Sequence, residues 1–303
     1  MKKNIILKNA GGELANQLWN YVSIYAYSLE VGARTYNPAF FEYHNFFNLL
    51  KNENYLTRLF SMFFQKPQRR NHWINKVFRF KYKILIKIIC LFNKNNILSS
   101  ENKTNVIFYL PPSKELATKT HKQYFLGWLF RNPVGLEKYR NEIIEAFKPK
   151  FNIERKINNI INEQKKKYSC IIGLHIRQGD YKIFRNGKYL IDQYRARQIC
   201  HEYIENKKLN NQTTLFIITS DGKMDPEIFN GLNIYISKEN AIADLFILSI
   251  TERVIRSDSS FGHFASWYGN IPHIVLKNET IDWNYYQNKN KYFTNKYLEL
   301  LPL

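Results

Sequence analysis

The stretch Cys170-Ile171-Ile172-Gly173-Leu174-His175-Ile176-Arg177-Gln178-Gly179-Asp180-Tyr181 decides the fold. Its first seven residues form an apolar run that reads as a buried strand, and the run ends abruptly in Arg177, Gln178, Gly179 and Asp180. Outward from it, the second half of the chain repeats one alternation. Leu215–Thr219, Asn233–Ser237, Arg253–Ser257 and His273–Leu276 read as further buried strands. Helical stretches Gln193–Lys207, Ala241–Ile250 and Phe261–Gly269 lie between several of them. Such alternation predicts an α/β fold with a parallel, doubly wound sheet. Ligands bind sheets of this kind beyond the carboxyl ends of the strands, which makes the residues just after each strand the first candidates for a site.

The first half opens with another strand–helix pair: an apolar strand at Asn4–Lys8, a turn at Gly11-Gly12, and an amphipathic helix over Leu14–Glu30 closed by Gly32. A helical, aromatic-rich region runs from about Phe46 to Phe92. Strands are expected at Asn105–Leu110 and Gln123–Trp128, and a helix near Leu136–Phe147 that ends before Pro149. Lys148-Pro149 is a domain boundary, since proline stops one helix and a new helical run begins near Ile153. This gives domains 1–149 and 150–303, with a basic, aromatic-rich insert at about 46–98.

Composition narrows the classes further. The chain has 303 residues, 45% of them hydrophobic, with 45 Lys plus Arg against 25 Asp plus Glu and a formal net charge of +20. Plentiful aromatic and branched apolar residues exclude collagen-like, coiled-coil and disordered classes. Cys90, Cys170 and Cys200 are widely spaced, which points to reduced thiols rather than a disulfide or metal framework. Lys8 interrupts the N-terminal apolar run, so no signal peptide is expected, and Lys87 interrupts Ile84–Phe92, which is too short to span a bilayer. The expected location is cytoplasmic, or peripheral on the inner face of the plasma membrane. The excess positive charge suits nucleic acid, a membrane surface or anionic substrates alike.

Half of that charge sits in one place. From Asn54 to Ser100 there is no Asp or Glu, and ten Lys and Arg residues fall between Arg58 and Lys94. Lys76, Arg79, Lys83, Lys87 and Lys94 make a basic stripe, and Val77, Phe80, Ile84, Ile88 and Leu91 an apolar face beside it. Two readings fit equally: a helix lying on an anionic membrane surface, and a domain helix packed on the core with a solvated basic edge.

Polar residues collect at three strand ends. His175, Arg177 and Asp180 suit an anionic ligand, because a guanidinium can grip a phosphate by two hydrogen bonds. The structural alternative is an Arg–Asp pair closing a loop beside a core histidine. Thr219-Ser220-Asp221-Gly222 places a carboxylate where a ribose or base could be held, or where an Asx turn stabilises itself. Ser257-Asp258-Ser259-Ser260-Phe261-Gly262 precedes a helix, so its hydroxyls and amides either seat a phosphate or cap that helix. Gly11-Gly12-Glu13-Leu14-Ala15-Asn16-Gln17 lacks dinucleotide spacing. Gly12, Asn16 and Gln17 are expected at the cleft between the domains. No D-x-D, H-E-x-x-H or C-x-x-C pattern occurs, so no metal site is read.

In combination these motifs resemble a family. His175-Ile176-Arg177-Gln178-Gly179-Asp180-Tyr181 is similar to the H-x-R-R-G-D-[FY] signature of the α-1,2-fucosyltransferases, glycosyltransferase family 11, which are related to the α-1,6- and protein O-fucosyltransferases. Gly11 to Leu18 resembles its G-G-L-G-N-Q-[LM] loop with one residue added. Thr219-Ser220-Asp221 resembles S-D-D, and Ser259-Ser260-Phe261 resembles N-S-[ST]-F. The resemblance implies a GT-B-like fold, two Rossmann-like domains with a cleft between them. It implies a GDP-fucose donor held by domain 150–303, a glycan acceptor on the side of domain 1–149, inversion at the anomeric carbon, and no metal. Carried over by position, Arg177 binds the diphosphate, His175 lies against the GDP, Asp221 near the nucleoside, and Ser259, Ser260 and Phe261 near the phosphates. Asp180 is a candidate base or a support for Arg177. The chain departs from the signature at Gln178, in place of a second arginine, and at Gly222, in place of a second acid. A bacterial-type enzyme of surface polysaccharide or lipopolysaccharide synthesis, with a lipid-linked acceptor met at the inner membrane face, is the functional expectation. The other readings are an enzyme of the same fold using another GDP-sugar, and a basic nucleic-acid-binding protein. No nucleic-acid motif is present, so no nucleic-acid partner is expected.

Overall fold

The computed structural model describes residues 2–8, 13–49, 73–100, 107–110 and 121–286. The chain divides at Lys150/Phe151 into two compact units.

In the first unit, β1 (Lys2–Lys8) leads into α1 (Leu14–Glu30), and β2 (Ala33–Tyr36) returns beside β1. After α2 (Trp73–Phe92) come β3 (Ile97–Ser99), β4 (Phe108–Tyr109), β5 (Lys122–Leu126) and β6 (Phe130–Arg131). The main sheet has the order β2-β1-β5-β3, all parallel, and β4 pairs with β6 in a small parallel ladder. The single helix expected near Leu136–Phe147 is two, α3 (Pro133–Lys138) and α4 (Arg140–Ala146), broken at Tyr139. The part of the aromatic-rich helical reading that falls on 50–72, and the turn Gly11-Gly12, lie outside the described residues.

α1 is not amphipathic as its sequence suggested. Thirteen of its 17 residues are buried, because the sheet covers one side while α3 and β6 pack on others. Its polar residues are satisfied within this shell. Asn20 donates through Nδ2 to the Gly127 carbonyl at 3.2 Å and accepts from the Phe130 amide at 3.2 Å. Ser23 and Ser28 donate back to the Trp19 and Ile24 carbonyls. A helix buried all round needs such internal bonds, since no water reaches its polar groups.

The second unit runs α5 (Phe151–Lys165), β7 (Cys170–Ile176), α6 (Gln193–Lys207), β8 (Thr214–Ser220), β9 (Asn233–Ile236), α7 (Ala241–Ser249), β10 (Arg253–Arg256), α8 (Ser260–Gly269) and β11 (His273–Val275). These elements match the expected alternation to within a residue or two. The sheet order is β11-β10-β7-β8-β9, parallel throughout. β7 is central, and Ile171 to Ile176 are all buried. From β7 the chain builds outward through β8 and β9, then crosses back to place β10 on the other side of β7. The direction of winding therefore reverses between β7 and β10. In an open α/β sheet the strand ends beside such a reversal are where ligands bind.

Candidate functional site

Arg177 stands one residue beyond β7, at this reversal. Its backbone amide donates to Ser257 Oγ at 2.9 Å, and the Ser257 amide donates to the His175 carbonyl at 2.9 Å. These two bonds tie the loops after β7 and β10 together across the switch point. Tyr181 adds a third tie, its hydroxyl donating to the Asp258 carbonyl at 2.6 Å. Burial, with Asp258 adding, pushes that phenol up to about 12.

The guanidinium of Arg177 is held by two carboxylates. Nε lies 2.9 Å from Asp180 Oδ1 and 3.2 Å from Asp221 Oδ2, and the group sits 5.9 Å over the Tyr181 ring. Asp221 does more than pair with it, because its Oδ1 accepts the amides of Gln178 at 2.7 Å and Gly179 at 3.1 Å. The Asx-turn alternative for Asp221 therefore fails: the carboxylate closes the neighbouring loop, while Ser220 Oγ accepts the Gly222 amide and makes the local turn. Gly179 is required by this approach, since a Cβ there would lie 2.5 Å from Asp221 Oδ2.

His175 is buried and stacks on Phe261, with ring centroids 4.9 Å apart and planes inclined by 27°. Burial first, then the nearby Arg177 and Arg256 charges, lower its pKa to about 3 against the opposing pull of Asp221. It is therefore neutral across the physiological range. Its Nδ1 is a buried atom with no hydrogen-bond partner, so the reading of a satisfied core histidine does not hold. Ser259 is the N-cap of α8, yet its side chain makes no capping bond and its Oγ is likewise buried without a partner. Ser260 and Phe261 open the helix, whose first amides point toward its N-terminus.

The structure thus gathers His175, Arg177, Asp180, Asp221, Ser259, Ser260 and Phe261 at the carboxyl edge of one sheet. Of the remaining candidates, Asn16 is half-buried and Gln17 buried in the first turn of α1, in the other unit, and Gly12 lies outside the described residues. Among the described residues no group of three or more His, Cys, Asp or Glu could hold a metal ion.

Sequence reasoning missed Arg256. It ends β10, beside His175 in the register, and is 4% exposed. Nη1 donates to the carbonyls of Ser257 at 3.2 Å and Ser259 at 3.4 Å and lies 3.6 Å from Asp258. Nη2 donates to His273 Nε2 at 3.2 Å, and His273 Nδ1 donates in turn to Ser266 Oγ at 3.0 Å. Burial lowers its pKa, with Asp258 opposing. Gly262 in the first turn of α8 makes room for it: a Cβ there would lie 2.7 Å from Arg256 Cβ and 3.4 Å from His175 Nδ1. The signal was present in the sequence as a charged residue inside the apolar run Arg253–Ser257.

No protein-family model and no curated protein sequence matches the chain. Solved structures do. POFUT1 in its apo form is similar with a TM-score of 0.54 and 11% identity, over 91% of this chain and 97% of that one. POFUT1 in complex with GDP-fucose gives 0.54 and 10%, over 92% and 98%. A mutant of Arabidopsis thaliana FUT1 in complex with GDP gives 0.53 and 11%, over 92% and 71%. At such identities the likeness establishes the fold: parallel α/β, of the GT-B-like fucosyltransferase type.

Proposed function

We propose that this chain is an inverting glycosyltransferase that moves fucose from GDP-fucose to a hydroxyl of a glycan acceptor, galactose O2, in bacterial surface polysaccharide or lipopolysaccharide synthesis with a lipid-linked acceptor. The observation that carries this reading is the placement of Arg177 at the switch point of the second unit, fixed by Asp180 and Asp221 beside the start of α8. The solved structures of the same fold, one with GDP-fucose and one with GDP, support the choice of donor.

The chemistry follows from these groups. The acceptor hydroxyl oxygen attacks the anomeric carbon from the face opposite the diphosphate, the carbon–oxygen bond to the diphosphate breaks with its electron pair leaving on GDP, the hydroxyl proton passes to solvent water, and configuration inverts. Negative charge grows on the leaving GDP. A guanidinium already locked in place stabilises that charge without reorganising in the transition state, and helix-end amides add partial positive charge. His175, kept neutral, places no titrating charge beside Arg177. Asp180, read from sequence as catalytic, has its Oδ1 on Arg177 Nε, and we assign it to holding the guanidinium. With the leaving group stabilised in this way, transfer is expected to persist in excess EDTA. Loss of activity that manganese or magnesium restores would overturn that expectation.

A second reading, the same chemistry with another GDP-sugar, is favoured by one contact. The two departures from the signature meet, because a Cβ on Gly222 would lie 2.6 Å from Gln178 Oε1. They are one local change beside Asp221, where a donor would be read. Thermal shift with GDP, GDP-fucose, GDP-mannose and an oligonucleotide tests both readings. Stabilisation by GDP-fucose above GDP-mannose supports the first, the reverse order the second, and stabilisation by the oligonucleotide alone refutes both. Mass spectrometry of products on an acceptor panel then identifies the linkage.

A further inference from the structure

α2 has two opposite faces, and the one that holds it to the protein is not the apolar face its sequence displays. Tyr82 is buried with its ring 6.0 Å from that of Phe41, and Leu85 and Ile86 pack on the same small cluster. Arg79 pairs with the buried Glu42. The other face carries Trp73, Val77, Phe80, Ile84, Ile88 and Leu91, exposed by 69, 45, 66, 48, 48 and 66% respectively. At about 100° per residue these six fall within an arc of roughly 80°. Lys76, Lys83 and Lys87 border that arc on one side and Lys81 on the other, all exposed. The core-packing expectation for Val77, Phe80, Ile84, Ile88 and Leu91 is thus corrected: Tyr82, Leu85 and Ile86 make the contact instead.

We infer that this face lies on an anionic membrane surface, with the apolar arc in the headgroup–acyl boundary and the lysines on the headgroups. Charge selects this occupant. The helix has five basic and no acidic residues, so a second copy laid on the same face would bring like charges together. Nucleic acid would engage the lysines but leave six large apolar side chains in water. A surface that is negative outside and apolar beneath satisfies both at once. Among the described residues no helix is long and apolar enough to cross a membrane, so the contact is interfacial. The inference is independent of the donor site.

The test is sedimentation of the whole protein with large vesicles of phosphatidylcholine containing 30% phosphatidylglycerol or none. Binding to the anionic vesicles, release by 0.5 M NaCl and failure to bind the neutral ones are expected. Each lysine near the surface is worth about fivefold in affinity, so Lys76→Gln, Lys83→Gln and Lys87→Gln together should weaken binding about 100-fold. Phe80→Ser with Ile84→Ser should weaken it at least tenfold, with the melting temperature little changed because both side chains are largely exposed. Vesicle binding that is absent, insensitive to both sets of changes, or equal on neutral lipid overturns the inference. So does a dimer in solution that the Phe80→Ser, Ile84→Ser variant dissolves, which would make the face a self-association surface.

Discussion

Removing the Arg177 side chain should abolish transfer by an amount that the local geometry sets. Arg177→Ala deletes the fixed charge proposed to face the leaving diphosphate, and loss of one preorganised stabilising group costs about 3–4 kcal/mol, or two to three orders of magnitude in rate. It also strips Asp180 and Asp221 of the cation that lies 2.9 and 3.2 Å from them. A carboxylate about 5 Å from a phosphate repels it by about 3 kcal/mol at an effective dielectric constant of 20. Both carboxylates are partly in water, and screening reduces this to about 1 kcal/mol. The expected loss in kcat/KM is therefore about 10³-fold or somewhat more, and Arg177→Ala with Asp180→Ala should recover about fivefold of it. Arg177→Lys should remain poor, since one ammonium cannot hold two carboxylates and a phosphate in a plane. The assay is GDP release from GDP-fucose with acceptor, beside calorimetric titration of GDP, which needs no acceptor. An Arg177→Ala protein that melts like the parent and retains kcat/KM and GDP affinity within tenfold would refute the assignment of the donor site.

Three other outcomes are expected. Gly262→Ala should cost about 1–3 kcal/mol in urea unfolding and weaken GDP binding, because the new methyl group would press on Arg256 and His175; unchanged stability and affinity would show that α8 shifts freely. Arg256→Lys should fold but bind GDP at least tenfold more weakly, since lysine cannot reach two carbonyls and His273 together; parental affinity would make Arg256 irrelevant to the loop. Asp244 is buried beside Ser237, and burial, with Glu239 adding and the Ser237 hydroxyl opposing, raises its carboxyl from 3.8 to about 6. The folded state holds this proton more tightly than the unfolded one, so stability falls as pH rises from about 4 to about 6, by about 3 kcal/mol. Asp244→Asn should therefore unfold at higher temperature than the parent at pH 7.5 and show no advantage at pH 4, and a difference that does not vary with pH would refute the buried-carboxyl account.

The second unit was legible because its central strands are buried on both faces, so apolar runs such as Ile171–Ile176 and Leu215–Ile218 stand out without periodicity. The first unit was less so. β2, β3, β4 and β6 have four, three, two and two residues, too few for a period-two pattern to register. α1 read as amphipathic because Asn20, Ser23 and Ser28 look like a polar face, and only their bonds to Gly127, Phe130, Trp19 and Ile24 reveal that they are interior. At the site, each polar strand end was visible, but their mutual engagement was not. Nothing in sequence tells that Asp221 caps the loop after β7, or that Gln178 and Gly222 touch.

Arg256 shows why a strand end of this kind carries a buried charge at all. A desolvated guanidinium is costly, and a well-packed apolar residue in its place is often neutral or better for stability. Its bonds, however, go where an apolar residue could do nothing: Nη1 draws the carbonyls of Ser257 and Ser259 inward. With the carbonyls turned toward Arg256, Ser257 Oγ is left facing the Arg177 amide and the Asp258 carbonyl facing Tyr181, so two of the three ties across the switch point depend on the same turn. The His273 tautomer that accepts from Nη2 is fixed by its second bond to Ser266, which keeps the guanidinium plane from rotating. The charge also helps hold His175 neutral. One buried arginine therefore orients the loop, turns two carbonyls toward itself and helps suppress a titration beside it, and these gains in the shape of the strand end are what its desolvation sets against stability.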